Sequence, residues 1–218
     1  MRIMAFNGSP RKEWNTATLL KKALEGAASR GAETELIHLY DLDYKGCRSC
    51  YSCKLKGGKS FGRCAAKDDL TPVLAKVVEA DAIILGSPIY MGAVAGETQS
   101  FLERLVYPFW NPETMGTVLE KRVPTCFICT MGAPESRMKD MGFDRCVRNV
   151  EMMMTMAFGA SESIVVTDTY QYDDYSRYAH APYVDPEAKA KRREVVFPED
   201  CDKAFEIGAR FAGAATGG

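Results

Sequence analysis

Four of the eight cysteines, Cys47, Cys50, Cys53 and Cys64, fall in one eighteen-residue segment with the spacing C-x2-C-x2-C-x10-C. Thiolates two residues apart can turn inward around a common centre, and three in succession suit a short loop wrapped around an iron-sulfur cube. Structural zinc prefers two well-separated pairs in a tetrahedron and fits this crowding less well. Four reduced, partly buried thiols without metal are the bland alternative, and spacing alone leaves it open.

Two further segments carry polar or glycine-rich chemistry. Gly8-Ser9-Pro10-Arg11-Lys12-Glu13-Trp14-Asn15-Thr16 empties into a helix start, where unpaired backbone N–H groups and the positive end of the helix dipole favour an anion. Ser9, Asn15 and Thr16 can donate side-chain hydrogen bonds there and Arg11 can add charge, although Asn15 or Thr16 could equally be a simple N-cap. The second segment is Gly86-Ser87-Pro88-Ile89-Tyr90-Met91-Gly92-Ala93-Val94-Ala95-Gly96. Gly92 and Gly96 permit close backbone approach and Tyr90 can stack, which suits a flat heteroaromatic ring; a small-residue turn with Tyr90 in the core is the plain alternative.

These segments need a scaffold, and the pattern predicts one. Strand-like and helix-like stretches alternate along the chain, the signature of a parallel sheet covered by helices on both faces. Strands are predicted at Arg2–Asn7, Glu33–Leu39, Ala82–Leu85, Val123–Thr130 and Ser163–Thr169. Helices are predicted over about Thr16–Arg30, from Asp68-Asp69 through Val78, over Glu97–Val106, Asp140–Met156 and Asp200–Ala212. Tyr107–Glu120, with Pro108 and Pro112, reads as a long irregular connection. Five such units fit an α/β flavodoxin-like three-layer sandwich with strand order 2-1-3-4-5, because neither G-x-G-x-x-G nor G-x-x-x-x-G-K-[ST] is present. In that order the loops after strands one and three face one crevice, where a mononucleotide binds.

Composition narrows the partners. With 28 Lys+Arg against 29 Asp+Glu, the net charge of -1 offers no basic field for nucleic acid, so small molecules are the expected ligands. No apolar stretch approaches the roughly 18 residues of a membrane span, and Met1–Phe6 leads straight into turn residues, so a cytoplasmic protein is expected. The 218 residues suit a single domain, with a cysteine loop at 44–67 and a Tyr/Pro-rich segment at 170–198.

Other features read as structural. Cys126 and Cys129 point to opposite faces of a strand and cannot share an ion, so they are expected to be buried small hydrophobes. His38 and His180 are expected to be structural or surface groups, and Glu151–Met156 core and subunit contact. The basic run Lys189-Ala190-Lys191-Arg192-Arg193 is expected to be a solvated face. Tyr170, Tyr172, Tyr175, Tyr178 and Tyr183 could cover the edge of a ring ligand or build a subunit interface, and the interface is the favoured expectation.

In order, G-S-P-R-x-x-x-N-T after strand one, C-x2-C-x2-C, D-D at Asp68-Asp69, and G-S-P-x-Y after strand three resemble the NADPH-dependent FMN reductases and flavodoxin-like NAD(P)H oxidoreductases, and among them the iron-sulfur flavoproteins. The resemblance covers the first half closely. It implies non-covalent FMN, with the phosphate held by Ser9, Arg11, Asn15 and Thr16 and the ring by Pro88, Ile89, Tyr90, Met91, Gly92 and Ala93. A third flavin loop is implied at Thr130, Met131 and Gly132. It also implies NAD(P)H as hydride donor, a quinone, flavin or other small acceptor, and a homodimer or homotetramer. A [4Fe-4S] cluster on Cys47, Cys50, Cys53 and Cys64 would be a second redox centre, although relatives usually place the fourth cysteine closer to the third. No catalytic acid or base is required for hydride transfer to the flavin. The competing reading is a non-enzymatic electron carrier served by a ferredoxin-like partner.

Overall fold

The computed structural model describes residues 1–214. Its core is a parallel sheet of β1 (Arg2–Asn7), β2 (Glu33–His38), β3 (Ala82–Tyr90), β7 (Val123–Thr130) and β8 (Gly159–Val166). They lie in the spatial order β2-β1-β3-β7-β8, which is 2-1-3-4-5 counted over the parallel strands. Three short strands complete the set. β4 (Ala93–Val94) pairs antiparallel with the end of β3, while β5 (Trp110–Asn111) and β6 (Gly116–Thr117) form a small hairpin.

Period-two alternation in the strands feeds two apolar layers. Ile3, Ala5, Ala82, Ile84, Cys126 and Ile128 pack with α1 (Asn15–Ala28) and α5 (Pro186–Ala214) on one face. Met4, Phe6, Ile83, Leu85, Phe127 and Cys129 pack on the other with α2 (Leu70–Val77), α3 (Gly96–Phe109) and α4 (Phe143–Phe158). Cys126 and Cys129 therefore fall in opposite layers, both fully buried, and burial pushes the Cys126 thiol up to about 12. Gly26 and Gly208 let α1 and α5 meet backbone to backbone, since a Cβ on Gly208 would lie 1.7 Å from the Ala23 carbonyl oxygen.

Several boundaries differ from the sequence expectation. β3 continues through Gly86-Ser87-Pro88 to Tyr90, so the expected glycine-rich loop is largely strand, paired with β7 as far as Pro88 and Thr130. Pro88 is tolerated near that end, where pairing stops. Met91 and Gly92, both at positive φ, form the tight turn between β3 and β4. α3 extends through Pro108 to Phe109, replacing the start of the expected irregular connection. α4 runs into β8 through Gly159, whose φ of +91 closes the helix and starts the strand without a loop. The last strand therefore begins at Gly159 rather than Ser163.

The largest correction concerns α5, which starts at Pro186 rather than Asp200. The basic run at 189–193 consequently lies on a helix and is only partly solvated: Lys191 is exposed, Arg192 and Arg193 are half-buried and Lys189 is buried. Lys189 is 2 % exposed, with its Nζ 2.6 Å from Asp168 Oδ1. No helix among the described residues is long and apolar enough to cross a membrane.

Candidate functional sites

The turn after β1 is fixed by Asn7. Its Oδ1 accepts from the Ser9 N–H at 3.1 Å, while its Nδ2 donates to the Ser9 carbonyl at 3.2 Å and to His38 Nδ1 at 2.9 Å. His38 therefore presents Nδ1 as an acceptor, consistent with burial holding its pKa below the ordinary 6.5. The Arg11 N–H donates to Ser9 Oγ at 3.1 Å. Trp14 is the helix N-cap and makes no side-chain cap bond, so the N–H groups of the first turn are not served by it. Asn15 and Thr16 are the first helical residues rather than caps, and both are buried.

From here the crevice closes around one cavity of about 210 Å3. Ser9, Arg11, Asn15 and Thr16 meet Pro88, Ile89 and Tyr90 from β3 and Thr130 and Gly132 from the end of β7. Thr16 Oγ1 and Thr130 Oγ1 lie 2.8 Å apart, so one hydroxyl donates to the other across the floor. The remaining implied ring contacts sit elsewhere: Met91 is fully exposed at the hairpin tip, Gly92 and Ala93 follow it, and Met131 is buried beneath. Tyr90 is 47 % exposed and is not a core residue.

Sequence reasoning missed Trp14, Thr169 and Gln171, which also line this cavity, and Tyr172, favoured as an interface residue, lines it as well. Trp14 Nε1 and Asn15 Nδ2 both donate to the Tyr170 carbonyl, at 3.0 and 2.8 Å, and Arg11 donates to the Gln171 carbonyl at 2.5 Å. The Gln171 side chain fills the space beside Gly132, where a Cβ would meet it at 2.3 Å. No residue pattern in the Tyr/Pro-rich segment signals this strap, because its contacts run through backbone carbonyls. Tyr170, Tyr172, Tyr175 and Tyr178 cluster within the chain, with the rings of Tyr172 and Tyr178 stacked at 4.5 Å. Tyr183 is exposed, as is His180.

All four clustered cysteines line a second cavity of about 350 Å3. Cys47 and Cys50 are exposed, Cys64 is half-buried and Cys53 is buried. Hydrogen bonds from Ser52 hold the Cys50 thiol below its ordinary pKa, while burial pushes Cys53 up. Ser49 and Tyr51, alternating with the first three cysteines, have φ of 53 and 55, left-handed backbone that non-glycine residues seldom adopt. Helix α3 anchors the loop. The Cys47 N–H donates to Glu103 Oε2 at 3.0 Å; Lys54 Nζ donates to the Pro108 carbonyl at 3.1 Å and to that of Trp110. The guanidinium of Arg104, 2 % exposed, donates to both Asp68 carboxylate oxygens, to the Lys45 carbonyl and to Cys64 Sγ at 3.4 Å. Neither Glu103 nor Arg104 was singled out by the sequence. Among the described residues, no three His, Cys, Asp or Glu side chains converge as a metal-ligand group.

Residues 1–137 match the family model for NADPH-dependent FMN reductases. An iron-sulfur flavoprotein of Archaeoglobus fulgidus is 43% identical over 104 residues, 48% of this chain and 48% of that protein. One of Methanocaldococcus jannaschii is 40% identical over 104 residues, 48% of this chain and 51% of that protein. The matched stretch thus spans about half the length of these curated relatives. Among solved structures, an NAD(P)H:quinone oxidoreductase from Methanothermobacter marburgensis superposes with a TM-score of 0.67 at 14% identity, covering 95% of this chain and 96% of that one. An FMN-dependent NADH-azoreductase from Bacillus anthracis, in complex with FMN, gives 0.65 at 12% identity, covering 97% and 100%. At such identities these two likenesses speak for the fold alone.

Proposed function

From the premise that the chain belongs to the NADPH-dependent FMN reductase family, we propose that it is an FMN-dependent oxidoreductase. It takes hydride from NAD(P)H and passes electrons to a quinone, a flavin or another small acceptor. The observation that carries this reading is the 210 Å3 cavity in which the β1–α1 loop faces β3 and the end of β7. Its donor set suits a phosphate monoester at the α1 N-terminus: a buried amide at Asn15, hydroxyls at Ser9 and Thr16, and the charge of Arg11. Pro88, Ile89 and Tyr90 form the adjoining wall for an aromatic ring. Bound FMN supplies the hydride and single-electron chemistry. The chain's own residues bind and orient it, and the strap at 170–172 helps to exclude water.

A [4Fe-4S] cluster on Cys47, Cys50, Cys53 and Cys64 belongs to the same reading. Four soft donors already border one cavity, Ser49 and Tyr51 turn the backbone between them, and matched relatives carry the name iron-sulfur flavoprotein. The competing reading is a non-enzymatic carrier accepting electrons from a ferredoxin-like partner. A homodimer or homotetramer would suit either.

An absorption spectrum of freshly, anaerobically purified protein reports both cofactors. Flavin bands with a broad iron-sulfur shoulder are expected, and protein that neither carries nor binds FMN would sink the proposal. Rapid bleaching by NADH or NADPH is expected in stopped flow; reduction only by reduced ferredoxin would replace the reductase with the carrier. Iron and acid-labile sulfide should accompany the flavin, and their absence under anaerobic purification would remove the cluster.

A further inference from the structure

We propose that Arg193, on helix α5, is a positioning residue that orients the Asn15 amide for the FMN phosphate; this rests on the FMN reading above. Arg193 Nη1 lies 2.6 Å from the outer oxygen of Asn15. A guanidinium can only donate, so the atom facing it must be the amide oxygen Oδ1. The Asn15 Nδ2 group is then forced to the opposite side, where it donates to the Tyr170 carbonyl at 2.8 Å. An amide nitrogen carries two hydrogens, and that bond uses one. Asn15 is 6 % exposed and lines the cavity, so the second hydrogen serves an anion seated there. With the amide reversed, a carbonyl oxygen would face the phosphate and repel it.

Arg193 is itself held in place. Its guanidinium lies 4.0 Å over the Phe197 ring, one helical turn along α5. Four residues before it, Lys189 Nζ donates to the carbonyls of Gly132 at 2.8 Å and Thr169 at 3.3 Å and to Asp168 at 2.6 Å. The basic run thus braces the cavity from behind at two points. Lys189 fixes the segments after β7 and β8, and Arg193 fixes a donor at the start of α1.

The prediction is selective for the phosphate. Flavin-free full-length protein, titrated with FMN and with riboflavin and followed by flavin fluorescence, reads it directly. Arg193→Met is expected to weaken FMN binding about tenfold, in keeping with loss of an oriented hydrogen bond to a charged group, and to leave riboflavin binding within about twofold on the same scale. Arg193→Lys should recover part of the loss. In an Asn15→Ala background, Arg193→Met should cause no further loss, because the two residues act as one unit. Parallel weakening of both flavins would make Arg193 a merely structural residue and overturn the proposal. Equal FMN binding by wild type and Arg193→Met would overturn it while the FMN reading stands, whereas wild type that binds no FMN overturns both.

Discussion

The two cavities sit on the same side of β1 in sequence order, one after β1 and one after β2, yet they are built in different ways. Around the β1–α1 loop, regular elements end together, and polar groups are fixed by short bonds of Ser9 to Asn7, Asn15 to the Tyr170 carbonyl and Thr16 to Thr130. Around the cysteines, a loop with two left-handed non-glycine residues rests on α3 through Glu103, Arg104 and Lys54. The first cavity is pre-organised by the sheet. The second borders its cavity with all four sulfurs, and among the described residues they form no ready metal-ligand group.

If the regions are separable in this way, the largest effect should come from a cysteine. Cys53→Ser is expected to abolish bound iron and acid-labile sulfide while FMN content stays at the wild-type level, measured on anaerobically purified protein. Joint loss of flavin would show that the two sites are one cooperative unit.

Next in size is Arg104→Met, which leaves Asp68 without its guanidinium and Cys64 without its donor. Breaking such a pair from the buried side should cost about 3 kcal/mol, read as a lower urea midpoint, with iron more labile and flavin retained. Gly86→Ala probes the other region. Its Cβ would sit 2.7 Å from Leu20 Cδ1 and 2.8 Å from Thr16 Cγ2. Overpacking of this kind costs about 1–3 kcal/mol and should push the start of α1 off β3, weakening FMN binding with iron content unchanged.

The smallest effect is a pH dependence confined to the cysteine region. The Arg104 hydrogen bonds hold the Asp68 carboxyl below its ordinary 3.8. A depressed carboxylate contributes stability that is present above 3.8 and lost as pH falls through the folded value. The stability gap between wild type and Arg104→Met should therefore be constant at neutral pH and narrow on acidification below that point. A gap that widens in acid would show that Asp68 is not what Arg104 stabilises.

Much of this was legible in the residues. The apolar run Ala82–Leu85 and the alternation of strand-like with helix-like segments sufficed for the elements and layers, since period and burial are local consequences of side-chain type, and the strand order came from the succession of five such units without a dinucleotide or P-loop fingerprint. The β1–α1 loop was legible for the same reason, as a polar βα turn followed by a helix start. Less could be read where one residue supports two conformations. Gly86-Ser87-Pro88 looked like a loop because glycine and proline usually interrupt strands, and only pairing with β7 keeps them extended. The basic run at 189–193 looked solvated because lysines and arginines usually are. Its partners Asp168, Gly132 and Asn15 come from distant parts of the chain and meet it only in the folded protein.

By itself, the sequence determined the α/β scaffold, the placement of the polar β1–α1 loop and the presence of four closely spaced soft donors, all of which follow from local pattern. The tertiary structure alone decided which groups face them: the strap carbonyls of Tyr170 and Gln171, the guanidinium of Arg104 beside Cys64, and that of Arg193 beside Asn15. Hydrogen bonds and charge pairs between remote residues depend on three-dimensional proximity, and no periodicity in the chain encodes that distance.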